Sequence, residues 1–332
     1  MAKMLDGPVP NGARSVSWPW YHHELGDELT PEAKTVLEEY SKIASEKIES
    51  HIYRIVSNQI LNEWLLLLTL LQRDKAWGIF PWPCVGEFWF LSFGLSQHPY
   101  YDTEILPRLK EGATLLDVGS CLGQDLRKCA FDGVPPENLF ATDLFPEYED
   151  LSYDLWQDRD RMPKDHYVSD DILADNAEFS RGNLMTKLGP GQIDVISITM
   201  FLHLFDYNNQ LRAATRILRL LSHNPGAMVV GSQAGVVDSC EQPLKPPFDK
   251  TESGEKRTVY RHSPTSFTKL WEEAGLAAGV PLRVSAVFQV PGNNAQPKQV
   301  DSGLGDMAVT RRRKLFLSEQ ETRRLYFSVV RT

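Results

Sequence analysis

The chain predicts an α/β fold: a mostly parallel sheet with an antiparallel last strand, preceded by a helical, aromatic-rich region. Three observations predict it. Residues 115–123 read LLDVGSCLG, an apolar run that ends in an acid and a glycine-rich turn. A second apolar run, NLFAT, ends in Asp143, twenty positions after Gly123. Further on, IDVISITM at 193–200 is nearly all apolar, as a strand covered on both faces must be. Strand, tight turn, helix and a second strand closing on a carboxylate make a unit that holds an adenosine-type cofactor. Glycines let the backbone approach the ligand, and the carboxylate accepts hydrogen bonds from ribose hydroxyls.

The elements follow in order. Residues 1–29 are irregular, although Trp18, Trp20, Tyr21, His22 and His23 give the segment something to bury. Thr30 with Pro31 starts a helix, a hydroxyl cap followed by proline at the first helical position. Helical spacing of Val36, Leu37, Tyr40, Ile43 and Ala44, then of Ile52, Ile55 and Val56, carries two or three helices to about Trp77. WLLLLTLL at 64–71 is a buried helix or a homodimer face; it is too short for a bilayer, which takes ~20 residues. Prolines 81 and 83 stop the helical pattern. Among the rings of 78–101, Phe80, Trp82, Phe88 and Tyr100 serve either the core or an apolar substrate cavity. This divides the chain into an N-terminal region, 1–101, and a nucleotide-binding domain, 102–332.

The βα rhythm then predicts strands at 114–118, 139–142, 166–168, 193–200, 227–235, 282–290 and 325–331. Helices are expected at about 123–131 and 207–222, and another from Ser263 and Pro264 to Gly275 as its stop. A short helix is expected near 317–324. The stretch 237–262, with Lys245, Lys250, Lys256, Arg257 and Arg261, reads as a long polar loop, either solvated or a lid whose cation pairs with an acidic substrate.

Bulk properties bound the function. With 332 residues and 42% hydrophobic content the chain supports a real core. A net charge of −9 argues against nucleic acid as a partner, so Arg311–Arg312–Arg313–Lys314 and Arg323–Arg324 read as solvated clusters. The four cysteines have neither zinc spacing nor a disulfide pattern, and the first twenty residues hold no apolar leader. No metal site is expected, and the chain reads as reduced, intracellular and cytoplasmic.

Two fingerprints compete for the turn. The dinucleotide pattern G-x-G-x-x-G falls on Gly119, Cys121 and Gln124, with one match in three. The S-adenosylmethionine pattern, acid-x-G-x-G-x-G, falls on Asp117, Gly119, Cys121 and Gly123, with three in four. A carboxylate beside the turn suits an ammonium and a sulfonium and repels a diphosphate. No phosphate-cradling G-x-x-x-x-G-K-[ST] motif is present.

Several segments resemble a known family: HPYYDTEILPRLKEGATLLDVGSCLGQDLRKCAFDGVP, NLFATDLFPEYEDLSYDLWQDRD, SDDIL, IDVISITMFLHLFDYNNQ and SPTSFTKLWEEAG. The chain resembles the class I methyltransferases and, more narrowly, the fungal methyltransferases of meroterpenoid pathways, over roughly 80–275. The resemblance implies a Rossmann-like sheet, a helical lid at the N-terminus and S-adenosylmethionine as cofactor. Cys121 departs from the family's middle glycine.

Expected cofactor contacts are Asp117, Gly119, Ser120 and Gly123 at the methionine end, Gln124 at the next helix, and Asp143 on the ribose with Leu144 against adenine. Tyr100 and Phe201 join this set. The resemblance adds Asp171 for the adenine amino group and Ile172 on the ring, with Asp170 as an alternative register. His203, just past the fourth strand, is a general base or a structural hydrogen-bonder; His262 has a weaker claim. His22, His23 and His98 could also face the cavity. The resemblance implies O-methylation of a carboxylate, or a hydroxyl, on a small apolar terpenoid or polyketide. A carboxylate is ionised near neutrality and needs no base, so His203 would then orient rather than deprotonate. The alternative is a protein of the same fold that binds S-adenosylmethionine and templates a cyclisation or rearrangement without methyl transfer.

Overall fold

The computed structural model describes residues 9–10, 12–56, 75–251, 254–288 and 322–332. The apolar stretch 64–71, the basic cluster 311–314 and most of the short helix expected near 317–324 lie outside the described residues.

Seven strands form one sheet in the order β3-β2-β1-β4-β5-β9-β8. They are β1 (Leu115–Val118), β2 (Leu139–Asp143), β3 (Tyr167–Ser169), β4 (Val195–Ser197), β5 (Met228–Val236), β8 (Leu282–Phe288) and β9 (Thr322–Arg331). All run parallel except β9, which pairs antiparallel with both β5 and β8. Strand order reverses between β1 and β4, so a crevice opens at their carboxyl ends, where open α/β sheets take their ligands.

Each face has its own core. On one face Leu116, Val118, Ile196, Val229 and Phe327 pack with α5 (Tyr207–Leu220) and α6 (Pro264–Ala278). On the other, Leu115, Leu139, Ala141, Val195 and Val230 pack with α2 (Gln124–Phe131) and α3 (Glu147–Trp156). That second core also takes in the N-terminal region: Trp20, Leu37, Ile52 on α1 (Ile48–Val56), Trp77, Phe80, Phe88 and Phe93 belong to it. Phe80 and Phe88 are therefore buried core rings, whereas Tyr100 is 43% exposed.

Thr30 caps its helix through Ala33 N–H, as its hydroxyl predicts, but the helical pattern breaks after Tyr40, where Lys42 adopts a φ of 57°. The stretch 237–262 is not a plain loop. Cys240–Pro243 (β6) and Thr258–Arg261 (β7) form an antiparallel hairpin that alternating side chains did not announce. The helix after Ser263 does not stop at Gly275. It runs to Ala278, and Gly279, at φ +66°, is the stop. Gly275 is there for close packing, because a Cβ would lie 2.8 Å from Leu282 Cδ1. Among the described residues no helix is long and apolar enough to cross a membrane.

A buried ion pair locks the N-terminal region to the sheet domain. Arg127 on α2 donates from Nε to Asp158 at 2.9 Å, and the Tyr40 hydroxyl donates to the same carboxylate at 2.8 Å. Arg127 and Asp158 are 3% and 0% exposed, so removing the acid strands a buried cation. Asp158→Ala should cost about 3–5 kcal/mol and Tyr40→Phe about 1.5–3 kcal/mol. Urea unfolding checks this; an Asp158→Ala loss no larger than that of Tyr40→Phe contradicts it.

Candidate active site

The turn after β1 is held open by three anchors. The N–H groups of Gly119 and Ser120 both donate to Thr142 O, at 2.9 and 3.1 Å. The Asp143 carboxylate accepts from Cys121 N–H at 2.9 Å and from Phe145 N–H at 3.2 Å. The Tyr167 hydroxyl donates to Cys121 O at 3.0 Å. Together these hold Cys121 in left-handed backbone (φ 50°), a conformation that costs a non-glycine residue roughly 1–2 kcal/mol. At Gly119 the requirement for glycine is absolute: φ is +74°, and a Cβ would meet Phe201 Cδ2 at 2.6 Å. Phe201 thus lies directly over the turn.

Strand alternation makes a polar row along the carboxyl edge of one face. Ala141, Leu115, Val195, Val230 and Val330 pack into or against the core shared with the N-terminal region. Asp143, Asp117, Ser197 and Ser232 stand two residues further along β2, β1, β4 and β5, and Arg324 lies on β9 with the same parity as Val330, so they share that face. The row runs from acids at β2 and β1 to a guanidinium at β9.

At the acidic end burial is severe. Asp117 is 3% exposed, and desolvation pushes its pKa up to about 6, against the opposing pull of the Ser120 and Ser197 hydroxyls. Asp125 on α2, beside it, is raised still more clearly, first by burial and then by the charge of Asp117. Its Oδ1 accepts from Leu95 N–H at 3.0 Å. Neither acid belongs to an ion pair among the described residues. Asp143 is also pushed up to about 6 by burial. Around these acids Gln124 Oε1, Thr142 Oγ1 and Thr199 Oγ1 are buried without a hydrogen-bond partner. A buried acidic cradle with orphaned hydroxyls fits a cationic, polyfunctional ligand.

Beyond β3 the two acids differ. Asp170 is committed to backbone, accepting from Asp171 N–H and Leu184 N–H, both at 2.8 Å. Asp171 accepts from Leu173 N–H at 2.8 Å through Oδ1, with its other oxygen free of hydrogen bonds, and Ile172 is buried beside it. Leu144 is exposed past the end of β2.

The histidines separate. His203 sits in a tight turn after β4, with Nδ1 buried and unpartnered. Burial, with the charges of Arg261 and Arg324 nearby, holds its pKa well below the usual histidine range. His262 is fully buried among Tyr207, Tyr260 and Phe267, bonded through Nδ1 to Ser266 Oγ at 2.9 Å, and burial pushes it down to about 4. His98 bonds to Phe327 O at 2.9 Å, and His22 and His23 are exposed. Ser197, Thr199 and Arg324 escaped sequence reasoning. Ser197 stands two residues past apolar Val195 on β4, and only that alternation could have indicated it.

These residues form a polar cradle at the switch point of an open α/β sheet. Comparison with known proteins specifies the class. A family model described as the meroterpenoid methyltransferase N-terminal domain matches residues 20–91. The O-methyltransferase atr3 of Stereocaulon alpinum is 34% identical over 268 residues, covering 81% of this chain and 68% of that protein. The methyltransferase adrK of Penicillium roqueforti is 33% identical over 280 residues, covering 84% and 88%. The asnovolin E/chermesin D methyltransferase nvfJ of Aspergillus novofumigatus is 34% identical over 258 residues, covering 78% and 81%. Among solved structures, the CurJ carbon methyltransferase aligns over 91% of this chain and 70% of its own, at 12% identity and a TM-score of 0.44. The chain belongs to this family of fungal methyltransferases, and it is a methyltransferase.

The raised acid gives a pH signature. Between pH 3.8 and about 6 folded Asp117 holds more proton than unfolded Asp117, so its effect is to lower stability as pH rises through that window. Asp117→Asn should therefore exceed wild type in stability at pH 7.5, by on the order of 2 kcal/mol, with the gap closing by about pH 4. Denaturant midpoints across that range test the sign; a variant less stable than wild type at pH 7.5 would refute it.

Proposed function

We propose that the chain transfers a methyl group from S-adenosylmethionine to an oxygen of a small, apolar molecule, with an ionised carboxylate as the acceptor. The observation that carries the reading is the pair of buried acids, Asp117 and Asp125, with no cation paired to them among the described residues. When bound, S-adenosylmethionine supplies a methyl group already activated by sulfonium charge. Asp117 and Asp125 face its ammonium and sulfonium, Gln124 and Thr199 offer their orphaned polar atoms to its polar groups, and Ser120 holds Asp117. Gly119 and Gly123 let the backbone come close. Asp143 has one bond on each oxygen and retains a lone pair on each for ribose hydroxyls. Asp171 takes the adenine amino group through its free oxygen, with Ile172 and Leu144 as apolar walls. Exposed Tyr100 is assigned to the same ligand in this reading.

The state of His203 bears on the acceptor. A general base must hold the proton it removes. Here desolvation and two guanidinium charges oppose the imidazolium. An acceptor that arrives ionised needs no such base, and carboxylates do so near neutrality. In this reading His203 positions the acceptor, His262 braces the aromatic wall behind it, and catalysis rests on alignment and exclusion of water. The Phe93–Leu95 segment, clamped to Asp125, roofs the site in the manner of a lid.

Calorimetry with S-adenosylhomocysteine and transfer of labelled methyl from S-adenosylmethionine test the function. Asp117→Asn should weaken cofactor binding by roughly tenfold or more, since one charge contact is worth about 1.4 kcal/mol or above. His203→Ala should lower kcat less than about a hundredfold, the low end of general-base catalysis. A loss of several orders of magnitude at unchanged KM would show that a base is required and overturn the carboxylate reading.

A further inference from the structure

At the basic end of the polar row Arg324 is joined by Arg261 of the β6–β7 hairpin, two guanidiniums against the single carboxylate that the cofactor carries. Arg261, at the end of β7, is 5% exposed, and its Nε is buried with no hydrogen-bond partner. Its Nη1 donates to His203 O. Arg324 on β9 reaches back along the sheet face and donates to Ser232 Oγ at 3.2 Å. Neither arginine belongs to an ion pair among the described residues. Both charges converge on His203, the residue that follows β4 into the crevice. Buried Arg127, by contrast, has Asp158, and exposed Arg159 has Asp150 and Asp154; Arg216 is another buried arginine outside any ion pair among the described residues, and it is spent on Ile172 O and Asn176 Oδ1.

A buried guanidinium without an anion is costly, and a fold retains one where something outside the chain supplies the negative charge. Arg324 lies three strand steps from Asp117, roughly 14 Å at the usual spacing; its charge also reaches Asp125, where it opposes the burial-driven rise, without making an ion pair with it. We propose that Arg261 and Arg324 form an anion clamp that selects an acidic acceptor and holds its carboxylate beside His203. The planar guanidinium of Arg261 offers its unused Nε–H along one edge, and Arg324 closes from the sheet side; charge-assisted bonds of this kind orient a carboxylate as well as hold it. Selection then works by loss: an ester or amide of the same shape leaves buried Arg261 and half-buried Arg324 without an anion.

This proposal rests on the methyltransferase reading of the site, and its test keeps the two apart. S-adenosylhomocysteine is first titrated into wild type by calorimetry, which reports on the cofactor site alone. The saturated protein is then melted in 100 mM sodium acetate and in sodium chloride of equal ionic strength, acetate being small enough to enter any acceptor cavity. Acetate should raise the wild-type midpoint by about 2–4 °C over chloride. Arg261→Met and Arg324→Met should each cut that gain to below about 1 °C, Arg261→Lys should keep part of it, and all three should bind S-adenosylhomocysteine within about threefold of wild type. An absent gain in wild type, or one that survives both methionine variants, overturns the clamp. So does a variant that loses S-adenosylhomocysteine affinity more than about tenfold while keeping the acetate gain, because that guanidinium then holds the cofactor's own carboxylate. If Arg261→Met does not fold, the half-buried Arg324 decides the outcome.

Discussion

Burying a carboxylate without a cation costs several kcal/mol, and this fold does so twice at the mouth of its first crossover, at Asp117 and Asp125. Neither acid can swing to solvent. Asp117 is fixed by β1, which is hydrogen-bonded on both sides to β2 and β4. Asp125 sits in the first turn of α2 and already holds the Leu95 amide. Protonation relieves part of the penalty in the free protein, which is why burial lifts Asp117 to about 6. A cationic ligand relieves it without the proton. The destabilised pair is thus a standing preference for positive charge, built into the sheet rather than into a loop.

The rest of the site preserves that preference. Asp143 ties the backbone of the glycine-rich turn to the end of β2, so the turn's geometry is set before any ligand arrives. Arg127 supports the same turn from below: its guanidinium fills the space that a side chain at Gly123 would need, and its pairing with Asp158 and Tyr40 draws in the N-terminal region. The roof over Asp125 and the floor under the turn are therefore parts of one packed core. Along the sheet the sign of the charge changes from carboxylates at β2 and β1 to the Arg324 guanidinium at β9, with Arg261 of the neighbouring β6–β7 hairpin beside His203. A methyl donor carrying positive charge and an acceptor carrying negative charge would be drawn to opposite ends of one crevice and meet between them, near Phe201 and His203.

Much of this was legible in the chain. LLDVGSCLG followed by NLFATD fixes β1, the turn, α2 and β2, because apolar runs, turn glycines and terminal acids are local signals. The uniformly apolar IDVISITM marked β4 as a central strand for the same reason. The β6–β7 hairpin was not legible, since its four-residue strands, CEQP and TVYR, hold too few apolar residues to stand out from a polar loop. Gly275 misled because a glycine near a helix end reads as a stop, when its partner in packing, Leu282, lies on the next strand. Arg324 gave no sign of its role: beside Arg323 it reads as a surface charge pair, and only the antiparallel register of β9 against β5 turns one of the two inward. Residues that depend on long-range register are hidden from a local reading.

The account turns on whether the acids receive a cation, and the proton count on cofactor binding measures that directly. Calorimetry of S-adenosylmethionine binding at pH 6, in two buffers of different ionisation enthalpy, should show net proton release, because a cation beside Asp117 lowers a pKa that burial had raised to about 6. The release should fade by about pH 8, where the carboxylate is already ionised. Binding with no proton exchange at pH 6, or with proton uptake, would mean that the ligand's charge lies away from these acids.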